Sequence, residues 1–200
     1  MAIDAETMRR MKKRARIYND LRLLLGTTVG AAILIVLLAI SLIGKSLTLA
    51  RIATFASLAL SILQVIVFFR LSESADNYRT AAICGIVALV LGVLTIVVPT
   101  LSSVIEIVSL ILGFVTAYSE MSGHESILLR EKSKLADKWR SLWLWFVWTN
   151  VIMTALLLIA YFAAQNTFFT VTVIAYAICS ITFAVIRLFY LSRTIKVFEN

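Results

Sequence analysis

The chain has 200 residues, 61% of them hydrophobic and 15% charged, with a formal net charge of +8. A soluble domain carries about 25% charged residues and at most half apolar ones, so this composition excludes an ordinary water-soluble protein and calls for lipid as solvent. The positive charge lies in short segments flanking apolar runs, so anionic lipid headgroups are the expected partner and nucleic acid is not.

Residues 1–22 form the first unit. Met8, Met11, Ala15 and Tyr18 recur at helical spacing against six basic residues, the pattern of an amphipathic helix lying on the inner leaflet. Apolar runs follow at about 23–44, 50–71, 80–98, 103–119, 141–163 and 167–190, each close to the ~20 helical residues that cross a hydrocarbon layer of about 30 Å. The first run is longer than a signal peptide's apolar core and reads as a retained signal-anchor. Between the third and fourth, Pro99-Thr100-Leu101-Ser102 breaks the helix and makes a hairpin. Ser103-Val104-Ile105-Glu106 then reads as a capping box. Residues 120–140 form a cytoplasmic helical linker opened by a second capping box, Ser122-Gly123-His124-Glu125, either a helix of its own or one continuous with the fifth span. The fifth and sixth spans turn at Gln165-Asn166-Thr167, and residues 191–200 are a cytoplasmic tail.

The predicted fold is therefore all-α: a polytopic membrane protein with six transmembrane helices as three hairpins and an N-terminal amphipathic helix. All but two of its nineteen Lys and Arg residues fall on one side of this map, leaving only Lys45 and Arg51 on the other. The positive-inside rule then places both termini in the cytoplasm, in a prokaryotic plasma (inner) membrane. One proline and seven glycines predict continuous helices rather than the broken ones of many ion-coupled carriers. Phe69-Arg70-Leu71-Ser72 before Tyr78 matches Phe189-Tyr190-Leu191-Ser192 before Phe198, a faint repeat that interfacial aromatics also account for.

Several residues stand out chemically. Trp139, Trp143, Trp145 and Trp148 at the entry to the fifth span read as an interfacial anchor. Gly26 and Gly30 form a GxxxG, and Gly85, Ala88 and Gly92 lie on a small-residue line down the third span; both suit close helix association, within the bundle or between copies. Thr54, Ser57, Ser61 and Gln64 make a polar line down the second span, and Asn150 lies at a depth that suits a bond with Gln64. Glu106 is the one acid inside a span, and Arg51 at comparable depth is its expected partner. Arg70 and Arg187 are expected to snorkel from inner span ends. Cys84 and Cys179 read as small hydrophobes, and His124 as a residue of a cytoplasmic segment.

The sequence lacks HExxH, GxSxG, a Walker-type glycine loop and paired intramembrane acids, so neither catalysis, a metal nor a cofactor is expected. The leading reading is a non-catalytic membrane scaffold, regulator or subunit, partnered by copies of itself or by other membrane subunits. The second is a small-solute transporter or a substrate-binding subunit of one. In size and span count the chain is similar to the small substrate-capturing subunits of vitamin transporters, a likeness of topology. A lipid-modifying enzyme comes third, with only Ser72, Tyr78, Ser119 and His124 as candidate reactive groups. Transport requires Gln64, Asn150 and the second-span hydroxyls to converge on one cavity. Association requires them to pair and leave a seam facing outward.

Overall fold

Long runs of Leu, Ile, Val and Ala satisfy every backbone group inside a helix and offer no polar side chain to compete for them. The computed structural model, which describes residues 5–98, 100, 102–162 and 166–199, accordingly contains six long helices and, among those residues, no strand. They are α1 (Ala5–Ile43), α2 (Leu47–Leu71), α3 (Asn77–Val97), α4 (Ser102–Leu128), α5 (Ser133–Phe162) and α6 (Asn166–Phe198). All six are long and apolar enough to cross a membrane. Pro99 and Leu101 of the predicted α3–α4 turn, and Gln165 of the α5–α6 turn, lie outside the described residues.

The connections are short. After α1, Lys45 takes a left-handed φ of 50°, and the Ser46 side chain caps α2 by accepting from the Leu49 N–H at 3.4 Å. Residues 129–132 turn α4 into α5, with the Glu131 and Lys132 N–H groups both donating to the Leu128 carbonyl.

Each helix contacts the next in sequence, and α6 closes back on α1. The result is a ring of six helices with no helix at its centre. One cluster of buried apolar residues, drawn from all six helices, fills the ring at the basic end; Leu21, Phe68, Tyr78, Leu128, Trp139 and Leu191 are at its heart. Leu71 and Leu191, equivalent in the faint repeat, are both fully buried there. Away from that end buried residues are few among those described: Ser41, Ala53, Ile105, Ala160 and Thr172 mark the helix contacts near the opposite end. The accessible surface is 13278 Å², whereas a compact monomer of 22.2 kDa exposes about 9,400 Å². Long helices whose large apolar side chains are exposed, such as Ile35, Phe55, Ile107 and Ile181, account for the excess.

Two elements differ from expectation. The basic stretch is no separate surface helix: it is the first half of α1, and it turns Ile17, Leu21 and Leu24 into the core while Met8 and Met11 are exposed. A stripe of three buried aliphatics outweighs two methionines that the leaflet would take up. The 120–140 linker is divided between two helices: its first part extends α4 unbroken to Leu128, and from Ser133 it is continuous with the fifth span as the start of α5. Ser122 therefore caps nothing. Its hydroxyl accepts a bond from Asn77 Nδ2 at 2.8 Å, joining α4 to α3.

Candidate functional site

At the basic end of the ring, polar groups form a connected chain inside the apolar core. Glu120 and His124 are four residues apart on α4 and so share its inward face. Arg187 reaches across from α6 and grips both Glu120 oxygens through Nη2 at 2.6 Å each, with Nε 3.2 Å from Oε1. The His124 imidazole is fully buried, with Nε2 3.6 Å from Glu120 Oε1, longer than a hydrogen bond. Its Nδ1 lies 2.8 Å from the Tyr78 hydroxyl on α3. Burial pushes His124 below the ordinary imidazole pKa, opposed by Glu120, so the neutral ring dominates. The Tyr78 O–H then donates to Nδ1, which puts the imidazole proton on Nε2, facing the carboxylate.

Aromatic packing locks this chain. Trp139 stacks on the imidazole with ring centroids 4.3 Å apart, and its Nε1 donates to the Thr194 hydroxyl at 3.0 Å. Trp139 is thus a core residue rather than an interfacial anchor, while Trp145 and Trp148 keep the outward position expected of all four. Gly123 makes the Tyr78 contact possible: a Cβ there would stand 2.8–2.9 Å from the phenol ring. Gly123→Ala is therefore expected to displace Tyr78 and destabilise the fold by about 1–3 kcal/mol, outweighing the ~1 kcal/mol helix gain of alanine over glycine. Gly92→Ala, where a Cβ meets nothing within 4 Å, is the matched control and should be neutral or stabilising. Thermal unfolding of the two variants checks the contrast.

A second polar cluster ties α1 to α2. The Asp20 carboxylate is buried, with Arg70 Nε 2.8 Å from one oxygen and Arg16 Nε 4.0 Å from the other, yet neither oxygen accepts a well-directed hydrogen bond. Burial pushes its pKa up, and the two arginines oppose this. Arg16 also grips Glu73 with both terminal nitrogens. Arg70 is held by this pair rather than simply snorkelling. Arg14 donates to the Val197 carbonyl at 2.9 Å and stands 3.6 Å from Glu131, fixing α1 to the end of α6 and to the α4–α5 turn.

Above the Glu120–Arg187 pair the ring holds a chamber of about 500 Å³ lined by five helices, α2 to α6. Ser61, Gln64, Ser109 and Thr116 supply its polar wall, while Val65, Phe68, Leu89, Phe146 and Phe183 supply much of the apolar one. The Ser61 and Thr116 hydroxyls donate back to their own helices. Among the described residues, Gln64 and Ser109 have no hydrogen-bond partner. The chamber falls within the roughly 300–1,000 Å³ typical of small-molecule sites.

The sequence-predicted residues divide. Gln64 and Ala88 line the chamber, but Asn150 does not meet Gln64. Asn150 instead accepts from the Tyr176 hydroxyl at 2.9 Å, in a separate crevice between α5 and α6, because its Nδ2 is turned to the Phe146 carbonyl of its own helix. Arg51 and Glu106 are both exposed, and no ion pair joins them. Gly30 and Gly85 serve contacts with α2, at Leu60 and Val65 respectively, while Gly26 and Gly92 border open space. Glu120, Arg187, His124 and Tyr78 were missed as a unit. The usable signal was depth: Glu120 lies one residue past the fourth apolar run and Arg187 three before the end of the sixth, so antiparallel packing sets opposite charges level.

Fold and site together define an all-helical ring of six membrane-spanning-length helices, closed at one end by a buried ion pair and hollow above it. Comparison with protein-family models, with curated proteins and with solved structures gives no match, so this geometry carries the functional reading alone.

Proposed function

We propose that the chain is an integral membrane protein of a prokaryotic plasma membrane, its basic end in the cytoplasm, that takes a small solute into the chamber of its helix ring. It would act as a carrier or as the solute-binding subunit of a larger transporter. The observation that carries this reading is the pair of unpartnered polar groups, Gln64 and Ser109, aimed into a chamber floored by Glu120 and Arg187. Both are half-buried and, among the described residues, have no protein partner, so they are free to bond to water or to a solute that enters the chamber. The lining offers an apolar side, amide and hydroxyl groups and both signs of charge, which suits a solute with an apolar body and a polar or zwitterionic end. Of the groups that transport calls for, Ser61 and Gln64 reach the chamber while Thr54, Ser57 and Asn150 do not, so the reading rests on the chamber and its charged floor. Association through the small-residue seams has partial support: Gly30 and Gly85 are occupied by contacts within the chain, and Gly26 and Gly92 border open space.

Chemical access to the chamber tests the reading. In full-length protein lacking Cys84 and Cys179 and reconstituted in nanodiscs, Ser109→Cys should react with a small, charged, water-borne thiol reagent. Adding Gly113→Phe, at a chamber glycine with nothing within 4 Å of its Cβ position, should block that reaction while leaving the fold intact. Failure of the single cysteine to react in folded protein would refute the solute-binding reading.

A further inference from the structure

The basic end carries a second concavity, separate from the chamber. Lys132 in the α4–α5 turn, Lys134 and Lys138 on α5, and Arg193 and Lys196 on α6 surround a groove of about 340 Å³, with Leu135 and Val197 as its apolar wall. Lys134 and Lys138 are four residues apart and Arg193 and Lys196 three apart, so each pair projects from one helix face. The Arg193 guanidinium is seated 4.4 Å over the Phe189 ring, and Lys138 lies 6.0 Å from the centre of the Tyr190 ring.

What sets this groove apart is the absence of carboxylates. Elsewhere at the basic end Arg10 pairs with Glu6, Arg14 with Glu131, Arg16 with Glu73, and Arg187 with Glu120. Arg9, Lys12, Lys13, Arg22, Arg79, Arg130 and Arg140 also lack an acidic partner among the described residues, but none of them lines this groove. Among the described residues none of the five groove cations has an acidic partner, and no acid lines the groove. Five like charges held around one concavity repel one another unless an anion sits between them. Ammonium groups act as compact point charges toward phosphate, and four of the five groove cations are lysines.

We infer that this groove binds a phosphate-bearing polyanion, a phosphomonoester or pyrophosphate group with two or more negative charges, carried on a lipid headgroup or free in solution. Depth admits the lipid source, on the membrane reading above. Lys138 is three residues before the fifth apolar run and Arg193 three after the sixth, about 4–5 Å beyond the hydrocarbon edge at 1.5 Å per residue, within the headgroup layer. Lys132 reaches farther out, where a projecting phosphate would lie.

The test uses the full chain in neutral detergent with two probes. Native mass spectrometry measures retention of phosphatidic acid against phosphatidylcholine, and calorimetric titration measures inorganic pyrophosphate. The variant Lys134→Gln/Lys138→Gln/Arg193→Gln should weaken whichever probe binds on the order of a hundredfold, from three surface cations at roughly a tenfold or less each. An equal loss of charge at exposed positions, Arg9→Gln/Lys12→Gln/Lys13→Gln, should change it by about twofold or less. Selective retention of phosphatidic acid without pyrophosphate binding assigns the groove to a lipid headgroup; saturable pyrophosphate binding assigns it to a soluble phosphate. Binding of neither probe, or an equal loss in both triple variants, overturns the inference. The pyrophosphate arm does not depend on membrane placement or on the chamber.

Discussion

Arg187→Ala should be among the most damaging single substitutions in the molecule, lowering stability by about 3–5 kcal/mol. Glu120 is only 3% exposed, so removing the guanidinium leaves a carboxylate in the core with a neutral imidazole at 3.6 Å as its nearest help. Arg187→Lys should fall between, since an ammonium restores the charge but not the fork that engages both oxygens. The informative comparison is Glu120→Leu/Arg187→Met. Replacing a whole buried pair by apolar side chains is often neutral or stabilising, so this double variant should unfold near the wild-type temperature. A double variant as unstable as Arg187→Ala would show that the pair holds the ring together. A stable one that no longer takes up solute would show that it is kept for what it presents to the chamber.

Trp139→Ala should cost a similar ~3–5 kcal/mol. The indole is fully buried, covers the imidazole and supplies one donor, so its loss opens a cavity and uncovers the polar chain at once. Trp139→Phe keeps most of the stacking and loses the bond to Thr194, whose hydroxyl still donates to the Tyr190 carbonyl; about 1–2 kcal/mol is expected. Trp145→Ala, six residues along the same helix but 65% exposed, should stay within about 0.5 kcal/mol. Thermal unfolding in one detergent, followed by circular dichroism, ranks the three. Equal effects at Trp139 and Trp145 would refute the division of the tryptophans into core and surface.

These tryptophans also mark how far the sequence could be read. Six spanning-length helices follow from apolar run length alone, because nearly every residue in a run contributes to one signal. Which side of a helix faces inward does not follow, because in lipid both faces of a span are apolar and the amphipathic pattern that betrays a soluble core is flattened. Trp139 and Trp145 are chemically identical, and the packing of α4 and α6 against α5, through His124, Tyr190 and Thr194, decides which is enclosed. His124 was similarly opaque. A lone histidine near charged residues looks solvated until α3 brings Tyr78 beneath Gly123. Gln64 was legible as an inward group because amides seldom face lipid, but the expected bond with Asn150 does not form, because Asn150 bonds Tyr176 instead. Charge balance was legible on α1, where Glu6 and Arg10 are four apart, and illegible between α4 and α6, where only antiparallel depth matches Glu120 to Arg187.

A core gathered at one end of the ring also orders the molecule's motions. Local opening is cheapest where few apolar contacts must break, and the far halves of the helices meet that condition while the Trp139 end does not. Amide hydrogen exchange should therefore grade along each helix, slowest around Leu21, Leu71, Leu128 and Leu191 and fastest toward the α1–α2 turn. The hairpins can part at their tips without disturbing the Glu120–Arg187 floor. Such a molecule behaves as a basket with a rigid base and a yielding rim, so passage into its interior need not be gated by any rearrangement of the base.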